Sequence, residues 1–433
     1  MAHFRFRPGQ FADCLEADER KFRQAISMKL KDIKTFVVGN PPPSYGGRYF
    51  MFVKVTTDNG IVGYGEIYAA SVGPKAQCIV AEDLFARHCV GLAPNDIERM
   101  FRRFHSSGFS QRPDPTVMGA FSAIEMACWD IVGKALDQPV HALMGGLVNE
   151  RLRSYTYLYP DESQDPATFY NDPDLSAERA VAYADQGFTA LKFDPAGPYT
   201  IYDPHQPAVV DMDRSEAFCA AIREAVGNRA DLLFGTHGQF TASGAIRMAR
   251  RLAAYDPLWF EEPTPPEMPE EMAKVAAQSS VPIATGERLT TKYEFARVLK
   301  CGSASIMQPA LGRVGGIWEA KKIAALAEVH YAQMAPHLYC GPIEALANIQ
   351  LGASIPNFLV LESIQTFGGF HAKLLDHPIR WEEGYVIPSI RPGLGHELNE
   401  AVAEAHPYEG DRLHLEMQDT PYNYSRENRF AGG

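Results

Sequence analysis

Several short stretches end on groups that could bind a hard cation or move a proton. "WFEEP" closes on Glu261 and Glu262, "IATGE" on Glu287, and "GTHG" carries His237. Lys192 and Asp194 in "LKFD", Gln308 in "MQP", His337 in "APH" and Glu362 in "VLES" stand in the same place, just past an apolar run. Glu261 and Glu287 are hard oxygen ligands of the kind that suits Mg2+. A cation bound to a substrate carboxylate stabilises the enediolate left when an α-proton departs. Imidazole titrates near neutral pH, so His237 and His337 suit the abstraction itself. The plainer reading of each group also exists: a strand-end His is usually structural, and Glu-Glu-Pro could complement a helix N-terminus. Taken together, the groups point to one mouth.

Such a mouth needs strands that end on one rim. From about residue 151, short apolar runs alternate with helical stretches: "RSYTYLY", "TALKFD", "DLLFG", "LWFEE", "PIATGE", "ASIMQP", "YAQMAPH" and "FLVLES". Apolar strands alternating with helices imply a parallel sheet, and eight such units imply a closed barrel with its active residues at the C-terminal strand ends. Upstream, "KLKDIKTFVV", "RYFMFVKVTTDNG" and "IVGYGEIY" read as three strands with a hairpin at Asp-Asn-Gly. Residues 75–148 are helical in pattern, and "MGAFSAIEMACWDIVGKAL" should be buried on most sides. Trp129 and Asp130 within it read as packing residues. The Pro/Gly loop "GNPPPSYGG" lies on the surface, and Tyr45 and Arg48 at its end are candidate substrate readers.

With these motifs in order, the chain resembles the enolase superfamily, specifically the mandelate racemase-like acid-sugar dehydratases. "SAIEMACWDIVGKALDQPVHALMGG", "ALKFDP", "WFEEP", "IATGERL", "QPALGRVGGI", "APHLYCGPIEALANIQL" and "PGLGHEL" carry the resemblance, which spans nearly everything from Met28. It implies an α+β capping domain over a modified TIM barrel, (β/α)7β. The expected divisions are an extension at 1–27, a capping domain at 28–150, a barrel at 151–375, and a segment at 376–433 packing on the capping domain. The loops Tyr45 to Tyr49 and Glu66 to Ser71 would close the site. Position by position, Glu261 and Glu287 match the second and third metal ligands. His337 matches the strand-seven acid/base, Glu362 a hydrogen-bond donor to the enediolate, and Lys192 the first lysine of a Lys-x-Lys pair. His237 matches the general base of many sugar-acid dehydratases. Two departures stand out. The family's first ligand, an Asp, is Gly235 here, and the Asp that orients the strand-seven histidine is Ala310. Three accounts follow. Asp194 leans in as the replacement carboxylate; or His237 is the third ligand, which would favour Mn2+ or another metal over Mg2+; or no divalent ion binds well. The first is preferred.

Composition fits this reading. The chain has 433 residues, is 46% hydrophobic and carries a formal net charge of −12, which disfavours nucleic acid. Its cysteines are scattered without a Cys-x-x-Cys pair, as in a reduced, cytoplasmic protein. No apolar run is expected to span a membrane, and relatives imply a homo-oligomer. The expected activity is metal-assisted α-proton abstraction from a small sugar acid, giving dehydration of an aldonate to a 2-keto-3-deoxy acid. Cycloisomerisation of an anhydro-sugar acid or lactone, racemisation or epimerisation, and an inactive sugar-acid-binding relative are the alternatives.

Overall fold

A computed structural model describes residues 27–68, 71–109, 114–161 and 163–424. The expected extension at 1–27 thus lies outside them, apart from Ser27. The first strands alternate as the sequence requires. β1 (Leu30–Gly39), β2 (Tyr49–Thr57) and β3 (Val62–Ile67) form an antiparallel sheet in that order. One face packs on the helix Pro115–Leu136, which starts where Asp114 accepts bonds from the Thr116 and Val117 amides. This helix is long and apolar enough to cross a membrane, contrary to the expectation from the sequence. Here 83% of its most apolar window is buried inside the protein. Asp130 is buried and accepts from the Tyr64 and Leu394 amides and from Lys134, which makes it the packing residue expected.

The helix lies unusually close to the sheet. A Cβ on Gly65 would sit 1.8 Å from the Ala123 carbonyl oxygen. Gly65→Ala should therefore force helix and strand apart and cost about 1–3 kcal/mol or more. Thermal unfolding would measure this, and an unchanged midpoint would mean that the contact gives way freely.

The barrel follows. β4 (Leu152–Tyr157), β5 (Ala190–Phe193), β6 (Asp231–Phe234), β7 (Trp259–Glu261), β8 (Ile283–Thr285), β9 (Ile306–Met307) and β10 (Gln333–Met334) pair in parallel, each with the next. β11 (Leu361–Glu362) pairs in parallel with β4, and a bridge from Met334 to Phe358 closes the ring. Tyr155, Leu233, Trp259, Ala284, Ile306 and Ala335 fill part of the core among the strands. These are the eight units read from the sequence.

The C-terminal segment departs from expectation. β12 (Trp381–Glu382) and β13 (Tyr385–Val386) form a hairpin on the barrel, not on the capping sheet. β11 covers β4 only at Ser154 and Tyr155, while β13 pairs with Arg153 and Leu152. The early residues of β4 would otherwise leave backbone groups unpaired, and the hairpin satisfies them. Later parts do reach the cap: Glu400 takes Lys54 and the Tyr64 hydroxyl, and Pro407 bridges Val38.

Cap and barrel are joined by two buried carboxylates. Glu125 accepts from the Ile317 and Trp318 amides at the start of the helix Gly316–Val329. Glu66 accepts from the Gly341 and Glu344 amides at the start of the helix Pro342–Ser354. Each places an acceptor on amides that a helix start leaves unpaired. Glu66 is therefore a helix cap, not a group of the mouth.

Candidate functional site

The strand ends converge as the sequence implies. Strand alternation turns Lys192 inward at the end of β5, where it is fully buried. Its ammonium lies 2.6 Å from Glu261 Oε1 and 3.7 Å from Glu362 Oε1, with the Tyr157 ring 4.7 Å away. Burial alone would lower this amine, but Glu261 and Glu362 hold it well above its usual range. Both Glu261 oxygens are engaged, since Gln308 Nε2 donates to the second at 3.0 Å. Burial pushes the Glu261 carboxyl up, against the opposing charge of Lys192.

Glu287 stands between the two histidines. Its Oε1 is 3.8 Å from His237 Nε2 and its Oε2 is 3.4 Å from His337 Nε2. Burial would raise this carboxyl, but His237, His337 and Lys192 hold it down at about 2. His337 is pushed down to about 3, chiefly by burial and against the pull of Glu287. Its neighbour across a backbone bridge is Ala310, so no carboxylate on that strand end supports the ring. Its Nδ1 has no hydrogen-bond partner among the described residues. Glu362 takes the Leu338 amide at 2.7 Å, and burial pushes its carboxyl up to about 8 despite Lys192.

Asp194 explains the glycine. A Cβ built on Gly235 would lie 1.7 Å from Asp194 Oδ1. The carboxylate from β5 therefore fills the corner in front of β6, and only a residue without a side chain fits beside it. The other oxygen of Asp194 accepts from the Tyr199 hydroxyl at 2.7 Å and the Tyr157 hydroxyl at 3.3 Å. It also lies 3.8 Å from His237 Nδ1. Tyr199 packs edge-on against the His237 ring at 4.4 Å.

A divalent cation suits this donor set. Asp194 Oδ1 and Glu287 Oε2 are buried anionic oxygens with no hydrogen-bond donor among the described residues, which is costly unless a positive group meets them. Carboxylate oxygens are what Mg2+ selects. Glu261 is turned onto Lys192 and Gln308, so the three carboxylates do not meet at one point. Among the described residues, the three potential ligands whose atoms all lie within 4.8 Å of one another are Asp376, His377 and His396, elsewhere on the chain. Arg391 already bonds to Asp376 and His377 there.

The two substrate readers part company. Tyr45 stacks on Tyr159, just past the end of β4, with ring centroids 4.0 Å apart. Arg48 donates to the Leu413 carbonyl at 2.7 Å and pairs with Glu416 at 3.6 Å. Its guanidinium is spent on the C-terminal tail, so the structure does not support Arg48 as a substrate reader. Glu262 also leaves the mouth, pairing with Arg288 at 2.9 Å. Sequence reading missed Tyr157, Tyr199 and Arg313. Arg313 stacks over Tyr68, which in turn packs against His337. For Tyr157 alone a signal was available, the alternation within "YTYLY", which sets Tyr155, Tyr157 and Tyr159 on one face of the strand.

Comparison with known proteins agrees with this fold. Residues 43–145 match the family described as Mandelate racemase / muconate lactonizing enzyme, N-terminal domain, and residues 175–402 match Enolase C-terminal domain-like. The D-galactonate dehydratase of Ralstonia nicotianae is 34% identical over 87% of this chain and 93% of its own. The mandelate racemase/muconate lactonizing enzyme structure from Sulfitobacter sp. is 59% identical, with a TM-score of 0.90, over 92% of this chain and 100% of its own. A solved structure from Labrenzia alexandrii DFL-11, assigned to the same enzymes, is 65% identical, with a TM-score of 0.89, over 91% of this chain and 99% of its own.

Proposed function

Because the chain belongs to the mandelate racemase / muconate lactonizing enzyme family of the enolase superfamily, and so to a family of enzymes, we propose that it is a hydro-lyase acting on a small sugar acid. The reaction is loss of water from an aldonate, giving a 2-keto-3-deoxy acid. One observation carries the reading: two histidines flank Glu287, and Lys192 lies between Glu261 and Glu362, at one rim of the barrel.

The residues divide the work. Lys192 offers a fixed positive charge to the substrate carboxylate, where the site excludes water and charge acts strongly. His237 takes the α-proton. Deprotonation places negative charge on the substrate carboxylate, and Glu362, with its carboxyl raised to about 8, holds a proton to donate to that oxygen. His337 is buried and neutral, so it contributes a hydrogen bond rather than a proton at neutral pH. His237, once protonated, can return its proton to the leaving β-hydroxyl. Asp194 and Glu287 would hold Mg2+, with Glu261 joining them only by turning from Lys192 and Gln308; the ion would supply charge neutralisation to the enediolate when bound. Asp194 in the corner beside Gly235 supports this ligand set over one that includes His237, and an all-oxygen set suits Mg2+.

The test follows the proton. The wild type should exchange the α-proton of an accepted aldonate into D2O and release the 2-keto-3-deoxy acid. His237→Asn should lower both by about 10²–10⁴-fold, the usual contribution of a positioned base. Exchange without a keto product would move the reading to epimerisation, and an isomeric product without loss of water to cycloisomerisation. Exchange at the wild-type rate in His237→Asn would remove His237 as the base.

A further inference from the structure

The C-terminal tail runs from the capping sheet to the mouth of the barrel. Near its start, Tyr408 N–H donates to the Val37 carbonyl. Next, Arg48 of the cap loop holds the Leu413 carbonyl, and the His414 amide donates to the Tyr49 hydroxyl at 3.1 Å. His414 is buried, and a Cβ on Gly47 would strike its ring, so the tail and the cap loop are in close contact. The tail then crosses to the loop after β5. There Gln418 N–H donates to the Tyr199 carbonyl and the Ile201 N–H donates to the Gln418 carbonyl, both at 2.9 Å. Beyond this bridge, Tyr422 stacks on His205 at 3.9 Å and bonds to Asp211, and the Tyr424 hydroxyl donates to the Gln206 carbonyl.

The bridge falls on Tyr199, whose hydroxyl holds Asp194 and whose ring borders His237. We propose that residues 413–424 form a strap that sets the position of Tyr199, and that Tyr199 is a positioning residue which orients the Asp194 carboxylate and the His237 ring. Loops move more than the elements that they join. The loop after β5 has the Gln239 side chain on Gly197 and Pro198 as a local tether, and the strap adds a backbone ladder at Tyr199 itself. Its effect on catalysis rests on the reading that Asp194 holds the metal and His237 the proton. Its effect on His237 geometry does not.

The experiment uses the full chain. Gln418→Pro removes the N–H that holds the Tyr199 carbonyl, while Gln418→Ala keeps it. Tyr199→Phe keeps the ring and removes the hydroxyl from Asp194. Binding of Mg2+ by calorimetry, steady-state kinetics, thermal unfolding and the His237 ring NMR signals are the readouts. Gln418→Pro and Tyr199→Phe should each weaken Mg2+ binding and kcat by about 10–100-fold, the usual cost of losing a group that orients a ligand. KM should change less. Gln418→Pro should also shift the His237 signals, while Gln418→Ala, which keeps the backbone N–H, should shift them and the Mg2+ affinity far less. Wild-type Mg2+ affinity and unshifted His237 signals in folded Gln418→Pro and Tyr199→Phe would overturn the proposal. If the wild type itself binds no Mg2+, the metal reading fails instead, and the His237 signals alone decide the strap. Should Gln418→Pro not fold, Tyr199→Phe decides through Mg2+ affinity and the same signals.

Discussion

Glu287→Gln should abolish turnover and leave the fold intact. The exchange keeps size and shape and removes one negative charge from between His237 and His337. That charge has two uses in the proposed site. It binds the divalent ion, and it presents an anionic oxygen to each flanking imidazole. A neutral amide does neither well. Loss of a ligand should exceed the 10–100-fold cost typical of losing a supporting group, so Mg2+ should bind at least about 100-fold more weakly. Turnover should fall by about 10³-fold or more. The melting temperature of the metal-free protein should fall, because a carboxyl held down at about 2 by His237, His337 and Lys192 stabilises the fold as an anion, and a neutral amide does not. Calorimetry, kinetics and a melt on one preparation check all three. Near-wild-type rates with intact Mg2+ binding would show that Glu287 is not a ligand.

The second large effect lies across the mouth. Asp194→Ala should lose Mg2+ affinity on the same scale as Glu287→Gln. Gly235→Asp alone should be harmful too, since its Cβ would lie 1.7 Å from Asp194 Oδ1 and bring a second carboxylate into one corner. Overpacking of that kind costs about 1–3 kcal/mol. The double variant Asp194→Ala/Gly235→Asp should recover much of the Mg2+ binding, because the clash is gone and a carboxylate again stands at the corner. Gly235 is not among the positive-φ glycines, so its backbone accepts an aspartate. The signature is strong non-additivity between two touching positions, expected in the range of 0.5–3 kcal/mol. If the double variant binds Mg2+ no better than Asp194→Ala, the two positions do not share one task.

The barrel was legible because its signal is periodic. Each strand is an apolar run, each mouth group follows that run, and the parallel ladder brings those ends together. Lys192, His237, Glu261, Glu287, His337 and Glu362 could thus be picked out without any knowledge of contacts. Asp194 could be named for the same reason, two residues after Lys192. Groups whose position depends on loops were not legible. Tyr199 sits in the loop after β5, and its partners are fixed by a tail more than two hundred residues later in the chain. Arg48 was misread because a loop arginine carries no mark of which acceptor it will find. The hairpin at Trp381–Val386 shows the same limit: its alternation announces strands, but the open edge that takes them is a property of how β4 and β11 are staggered. The helix Pro115–Leu136 shows that composition alone does not distinguish a lipid-facing helix from one enclosed by protein.

Glu125 and Glu66 reach from the roof into the barrel and each seize the first amides of a barrel helix. A swing of the whole roof would tear both carboxylates from their donors inside a dry interior. Cap and barrel should therefore move as one body in the folded protein and be lost together on heating.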